Sequence, residues 1–163
     1  MPTLGPFFIQ GAPTRQVDEG QAVLATTEFL NSESFSPLHN VKNEPPTPSA
    51  CTRTAEDEPL LVVLELTDTK GEPVKNATVD AWQADSTGGY YFFSWTLRGK
   101  MTTDAQGRLE FLTIRPHEYA GRASHIHVRI YPADKKHRQM TSQMYICDGN
   151  DPERMSSDLY VSS

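Results

Sequence analysis

From residue 59 onward the chain breaks into short apolar or alternating runs with turn signals between them. They are "LLVVLEL", "VKNATVDAW", "RLEFLTI", "SHIHVRIYP" and "QMTSQMYIC". A period of two belongs to a strand, whose successive side chains point to opposite faces. "LLVVLEL" is expected to be a buried strand, followed by a turn at "TDTKGEP" and an alternating strand at "VKNATVDAW". "KMTTD" and "RLEFLTI" are expected to pair as a hairpin through Gly107, and the last two runs to flank the charged turn "ADKKHR". Regularly spaced short strands with no convincing helix between them argue an all-β fold, an antiparallel β-sandwich.

Residues 1–58 read differently. Their middle is dense in Pro, Ser, Thr and charge, as in "SFSPLHNVKNEPPTPSACTRTAEDEP", and carries no sustained period. We read 1–58 as an irregular wrapping segment with a short helix near "GQAVLATTEFLN", and 59–163 as the sandwich core of a single domain. The chain holds 15 Lys and Arg against 21 Asp and Glu, a net charge of −6 with no basic block, so no nucleic-acid partner is expected. "LLVVLEL" is too short to span a bilayer, and the N-terminus lacks a charged and apolar leader. Cys51 and Cys147 are too few for a disulfide framework. No membrane partner and a cytoplasmic location are therefore expected.

The run "SHIHVRIYP" puts His125 and His127 on one face and Ile126 and Val128 on the other. Two imidazoles side by side on a stiff strand suit two metal ligands. They also suit a polar solvent face, the reading that the strand alone favours. No carboxylate follows in "HIHVRIY" to complete a facial triad, and two cysteines cannot build a structural zinc site. Tyr90, in the glycine-loosened "DSTGGYYFF", and Tyr119, in "IRPHEYAGR", sit on loops from which they could reach the same metal. Two phenolates with two imidazoles favour a hard trivalent ion, which deprotonates phenol as metals deprotonate thiols and water. The bland readings stay open at this point: the aromatics around Tyr90 as core, Tyr119 as a corner tyrosine, and Arg122 and Gln143 as surface residues. His39, His117 and His137 read as loop or solvent histidines.

Four segments in order resemble the intradiol ring-cleavage dioxygenases. "TLGPFFIQGAP" is similar to the family's GPFY–GAP signature, and "LVVLELTDTKGEPVKNATVDAWQADSTGGYYFF" to its core leading into a G-x-Y element. "LRGKMTTDAQGRLEFLTIRPHEYAGRASHIHVRIY" resembles its LRG…TD…RP-x-x-Y…R-P-x-H-[IV]-H run, and "MTSQMYICDGND" its TTQ strand.

The resemblance implies a non-haem Fe(III) enzyme that cleaves a catechol-type 1,2-diol with O₂ to a muconate-type dicarboxylic acid. By position, Tyr90, Tyr119, His125 and His127 match the iron ligands, and Tyr119 the one that leaves when substrate binds. Arg122 matches the arginine that stabilises negative charge on the ring, and Gln143 the glutamine that positions substrate and oxygen. Pro6 and Phe7 match pocket-lining positions. The implied partners are a small aromatic diol and O₂, and a homodimer is an assembly the resemblance allows.

Three departures stand out. The family's N-terminal helical region has no counterpart, Ala123 replaces a proline, and only Ala120 and Gly121 separate Tyr119 from Arg122. The short link implies a wide mouth and substituted or bulky catechols or hydroxyquinols as substrates. A non-catalytic transthyretin-like binding module and an intradiol-like oxidase of specialised metabolism are the alternatives.

Overall fold

The computed structural model describes residues 7–15, 22–24, 59–118, 122, 124–146 and 160–161. These form strands β1 (Ala22–Val23), β2 (Pro59–Glu65), β3 (Thr67–Asp68), β4 (Thr78–Gln83), β5 (Arg98–Thr102), β6 (Arg108–Ile114), β7 (His125–Tyr131), β8 (Met140–Tyr145) and β9 (Tyr160–Val161), with no helix among the described residues. One sheet has the order β1-β6-β2 and the other β5-β4-β7-β8, while β3 and β9 form a two-stranded pair. Val62, Leu109 and Phe111 of the first sheet meet Val79, Ala81, Ile126, Val128 and Ile130 of the second in one buried core. That is a β-sandwich. The long pairings are antiparallel, and only the two-residue strands β1 and β9 pair parallel.

Three local expectations need correction. β5 and β6 do not form a hairpin, because β5 pairs with β4 and β6 with β2, in opposite sheets. The Asp104 carboxylate accepts the backbone N–H groups of Gln106 and Arg108, both at 2.8 Å. An Asp-capped turn of this kind joins two sheets at a corner as readily as two strands of a hairpin. β2 exists but lies at a sheet edge. Only Val62 is buried in it, Leu60 and Leu64 pack partly on the core, and Val63 is exposed. Ala22–Val23, inside the expected short helix, is extended and pairs with Phe111–Leu112. The rest of that stretch, like Cys51, Cys147 and His39, lies outside the described residues.

β7 and β8 do flank the charged turn. His137 in that turn is not a plain solvent residue. Its Nδ1 lies 2.9 Å from Asp134 and its Nε2 3.7 Å from Asp68, which ties the turn to β3.

Residues 7–15 cross the outer face of the four-stranded sheet and cover its β5 edge. Lys100 N donates to Pro13 O and Arg15 N to Lys100 O, both at 2.8 Å, so the edge strand gains a partner. The Arg15 side chain reaches over to the carbonyls of Arg98 and Trp95. Gly99 makes room for it, since a Cβ there would stand 2.1 Å from Arg15 Cγ.

The same covered face holds Asp80, 2% exposed, opposite Lys100 on one side and Arg129 on the other. Burial pushes its carboxyl up to about 6, against the pull of Lys100, Arg129 and Arg98. In the unfolded chain the same group titrates at about 4. The fold thus favours the protonated form, and its stability from this group, full below pH ~4, is lost as pH rises through 6. Asp80→Asn is expected to melt higher than wild type above pH 7. The difference should vanish near pH 4 in thermal unfolding monitored by circular dichroism, and an Asn variant less stable at pH 8 would contradict this.

Candidate active site

The alternation of β7 builds the site. Ile126, Val128 and Ile130 are fully buried in the core, which forces His125 and His127 to the opposite face of the sheet. Register then supplies the neighbours. Trp82 of β4 and Gln143 of β8 stand on either side of His127, and Tyr145 of β8 stands beside His125. Both histidines are 2% exposed, so the solvent-face reading is overturned.

The two Nε2 atoms converge to 3.1 Å with their rings at 75°. Two imidazole ligands bonded at about 2.1 Å and at right angles on one ion place their nitrogens about 3.0 Å apart. The indole of Trp82 lies flat against His127, with centroids 4.9 Å apart and planes 3° apart. Burial, reinforced by His125, Arg122 and Arg98, pushes His127 down to about 3. The imidazole is therefore neutral at ordinary pH, the form that binds a metal. Among the described residues no three of His, Cys, Asp and Glu gather as a metal site. A metal on this pair needs another kind of donor, and the nearest loop offers a phenol.

That loop, residues 84–97, is shaped by Asp85. Its Oδ1 accepts the N–H of Thr87 at 2.9 Å, that of Gly89 at 2.8 Å and the Thr87 hydroxyl at 2.8 Å, and Gly88 turns with φ of 90°. Burial opposes ionisation of Asp85, but the hydrogen bonds of Thr87 and Gly89 outweigh it and leave the carboxyl below its usual range. Tyr90 emerges from this turn with its ring 6.4 Å from that of His127. Phe7 stacks on Tyr90 at 4.3 Å and 14°.

Beneath them Arg98, 2% exposed, donates Nη1 to Phe7 O at 2.6 Å and Nε to Tyr91 O at 2.9 Å. Its Nη2 and the neighbouring Trp82 Nε1 have no hydrogen-bond partner among the described residues. Orphaned buried donors beside a pair of neutral donors fit a site made for a polar occupant. On the other flank Arg122 donates to Gln143 Oε1, and Gln143 Nε2 lies 3.4 Å from His127 Nδ1.

Tyr90, His125, His127, Arg122, Gln143 and Phe7 are thus brought around one point. Tyr119 and Pro6 lie outside the described residues. Tyr91, Phe92, Phe93 and Trp95 are exposed, so the reading of this run as core aromatics is wrong.

A family model described as dioxygenase matches residues 31–162. The chain is 29% identical over 136 residues to the protocatechuate 3,4-dioxygenase beta chain of Burkholderia cepacia, covering 69% of this chain and 57% of that one. It is 39% identical over 92 residues to an intradiol ring-cleavage dioxygenase of Aspergillus niger, covering 52% and 28%. Among solved structures it resembles the dioxygenase domain of a dioxygenase–carbohydrate-binding protein fusion from Streptomyces sp. SirexAA-E. That match has a TM-score of 0.62 at 26% identity and covers 88% of this chain and 71% of that one. The 3-chlorocatechol 1,2-dioxygenase of Rhodococcus opacus 1CP matches with a TM-score of 0.60 at 25% identity, over 88% and 54%.

The chain belongs to the intradiol ring-cleavage dioxygenase family. It spans less than two thirds of the length of either curated relative.

Within this intradiol-type fold, reasoning from sequence missed three residues. Trp82 forms the flat floor under His127, Arg98 fastens the Phe7 and Tyr91 backbones, and the Tyr145 hydroxyl donates to Gln143 Oε1 at 2.8 Å. Tyr145 was within reach, because it shares the face of Gln143 two residues on. Trp82 and Arg98 depend on the pairing of β4 with β5 and β7, which a single sequence does not carry.

Asp85→Ala is expected to cost about 1–2 kcal/mol of stability at pH 7, from the lost charge-assisted bonds. Because the native carboxyl sits below its usual value, this support is full above the unfolded value of ~4 and lost as pH falls through the native one. Chemical denaturation at pH 7 and at pH 3 should show the gap between variant and wild type shrinking; a pH-independent gap would contradict it.

Proposed function

We propose that this chain carries a non-haem Fe(III) site and cleaves a catechol-type 1,2-diol between its two hydroxylated carbons. Both atoms of O₂ enter the product, a muconate-type dicarboxylic acid. The observation that carries the reading is the convergence of His125 and His127 Nε2 at 3.1 Å in a buried place, with a phenol loop on one side and an arginine–glutamine pair on the other. Family membership supports it.

His125, His127 and Tyr90 of this chain, with Tyr119, would hold the ion. When bound, the iron supplies a hard Lewis-acidic centre that keeps both diol oxygens deprotonated and makes the ring reactive toward O₂. Two phenolates and two neutral imidazoles would leave one positive charge on a trivalent ion, which a hydroxide would neutralise without further carboxylates.

The protein's own groups do the rest. Trp82 stacks on His127, and Phe8 packs edge-on against Trp82 at 5.1 Å, so that this side of the imidazole is shielded from water. Arg122 places a fixed positive charge where the ring gains negative charge. Preorganised electrostatics of this kind are worth about 3–4 kcal/mol elsewhere. Gln143 orients what binds beside His127, and Tyr119 takes a proton from the incoming diol.

Purified protein is expected to hold about one iron per chain and to be reddish from phenolate-to-iron charge transfer. Tyr90→Phe should lose both, since phenylalanine supplies no anionic oxygen. Elemental analysis finding zinc or copper in place of iron, or a Tyr90→Phe variant with wild-type absorbance, would reject the assignment.

The substrate we propose is a substituted or bulky catechol or hydroxyquinol. Phe7, stacked on Tyr90, continues at 5.6 Å to the exposed Phe92, and Phe93 and Trp95 of the same loop are exposed as well. Exposed rings on the loop that carries the proposed ligand suit a second apolar group on the diol. The specificity constant kcat/KM should hold level or rise from catechol to aryl- and alkyl-substituted catechols. A steady fall with each added group would mean a closed pocket.

A further inference from the structure

We infer that Tyr145 is a positioning residue, whose hydroxyl locks Gln143 and Arg122 in place over the histidine pair. The inference rests on the proposed function for the meaning of that pair, and on local geometry for the lock itself.

The Tyr145 hydroxyl donates to Gln143 Oε1 at 2.8 Å and accepts from Arg122 Nη2 at 3.3 Å, while Arg122 Nη2 also donates to Gln143 Oε1. The three side chains close a ring of hydrogen bonds. An amide oxygen has two acceptor sites, and both on Gln143 are filled. The amide therefore cannot turn over without setting its N–H₂ against the Arg122 N–H. Its Nε2 stays on the His127 side, 3.4 Å from Nδ1.

The three members differ in stiffness. Arg122 is exposed, and it and Gln143 carry long side chains with several free torsions. Tyr145 has two torsions, and its ring rests 5.7 Å from that of His125, its register partner across the sheet. A rigid ring on a paired strand can hold a hydroxyl at one point; an exposed arginine cannot hold itself. Tyr145 is thus the anchor through which β8 fixes the polar flank of the site. It acts through its neighbours and need not touch the substrate.

The test is Tyr145→Phe, which keeps the ring against His125 and removes one oxygen. Iron content and the charge-transfer band should match wild type, because no proposed ligand changes. The kcat for catechol cleavage should fall about five- to tenfold, the range for one lost hydrogen bond, with KM altered less than kcat. The double variant Gln143→Ala/Tyr145→Phe should be no slower than Gln143→Ala alone, since a residue acting through Gln143 has nothing left to position. In metal-free protein, the Gln143 side-chain N–H₂ signals, identified by their loss in Gln143→Ala, should move toward free-amide positions in Tyr145→Phe.

Wild-type turnover in Tyr145→Phe, or losses that add in the double variant, would overturn the positioning role. A wild-type protein that binds iron and cleaves no diol would overturn the proposed function instead. The Gln143 amide signals would then decide alone: unmoved, they reject the lock, and moved, they sustain it.

Discussion

The site depends on one constraint, that β7 cannot slip. Ile126, Val128 and Ile130 are locked in the core between the sheets, and a one-residue shift would send them outward and the histidines inward. The strands on both sides, β4 within the sheet and β8 at its edge, hold the same register through backbone bonds. The apolar half of the strand thus fixes the polar half. Convergence of two ring nitrogens at 3.1 Å is a by-product of core packing, needing no dedicated loop.

Burial of so much polar and charged matter on the outer face has to be offset locally. Arg98, Asp80 and both histidines lie under cover, with residues 7–15 as the lid over much of that face. The cover is fastened by the groups it covers, since Arg98 donates to Phe7 O and Arg15 reaches back to Arg98 O. Arg129 adds its guanidinium over the rings of Phe8 and Tyr131, at 5.1 and 5.2 Å. A guanidinium suits this work because it is planar, weakly hydrated and rich in donors. Asp80 is the group least well served: its Oδ2 has no partner among the described residues, and its acidity is weakened accordingly.

What the sequence made legible follows from which information is local. The strand runs and the side-by-side histidines are local properties, so β4, β6, β7 and β8 could be anticipated and so could the sharing of a face. Sheet membership is not local. "KMTTD" and "RLEFLTI" look like a hairpin in any window, and only the core decides that one joins β4 and the other β2. Burial has the same limit: "LLVVLEL" reads as a buried strand, yet it ends at a sheet edge with Val63 in solvent. Trp82 and Arg98 were missed for this reason too, as each gains its role from a neighbouring strand. Tyr145 was missed for a different one. Its parity was visible, but a tyrosine on a strand carries no signal of its own until the hydroxyl has a partner.

The two kinds of support have different consequences. The histidines and Gln143 sit on paired strands, while Tyr90 and the exposed Tyr91, Phe92, Phe93 and Trp95 sit on a loop held at its start by Asp85 and at its end by Leu97. Leu97 is buried at φ of 53°, a conformation that costs leucine about 1–2 kcal/mol and is kept only because the core holds its side chain. Both loop ends are thus fixed, while the exposed rings Phe92 and Phe93 between them contribute nothing to the core cluster. Substitutions there can change what approaches the site without disturbing the pairing that sets the histidines. Under the proposed function, the sandwich would hold the ring nitrogens rigid and leave the choice of diol to a surface loop.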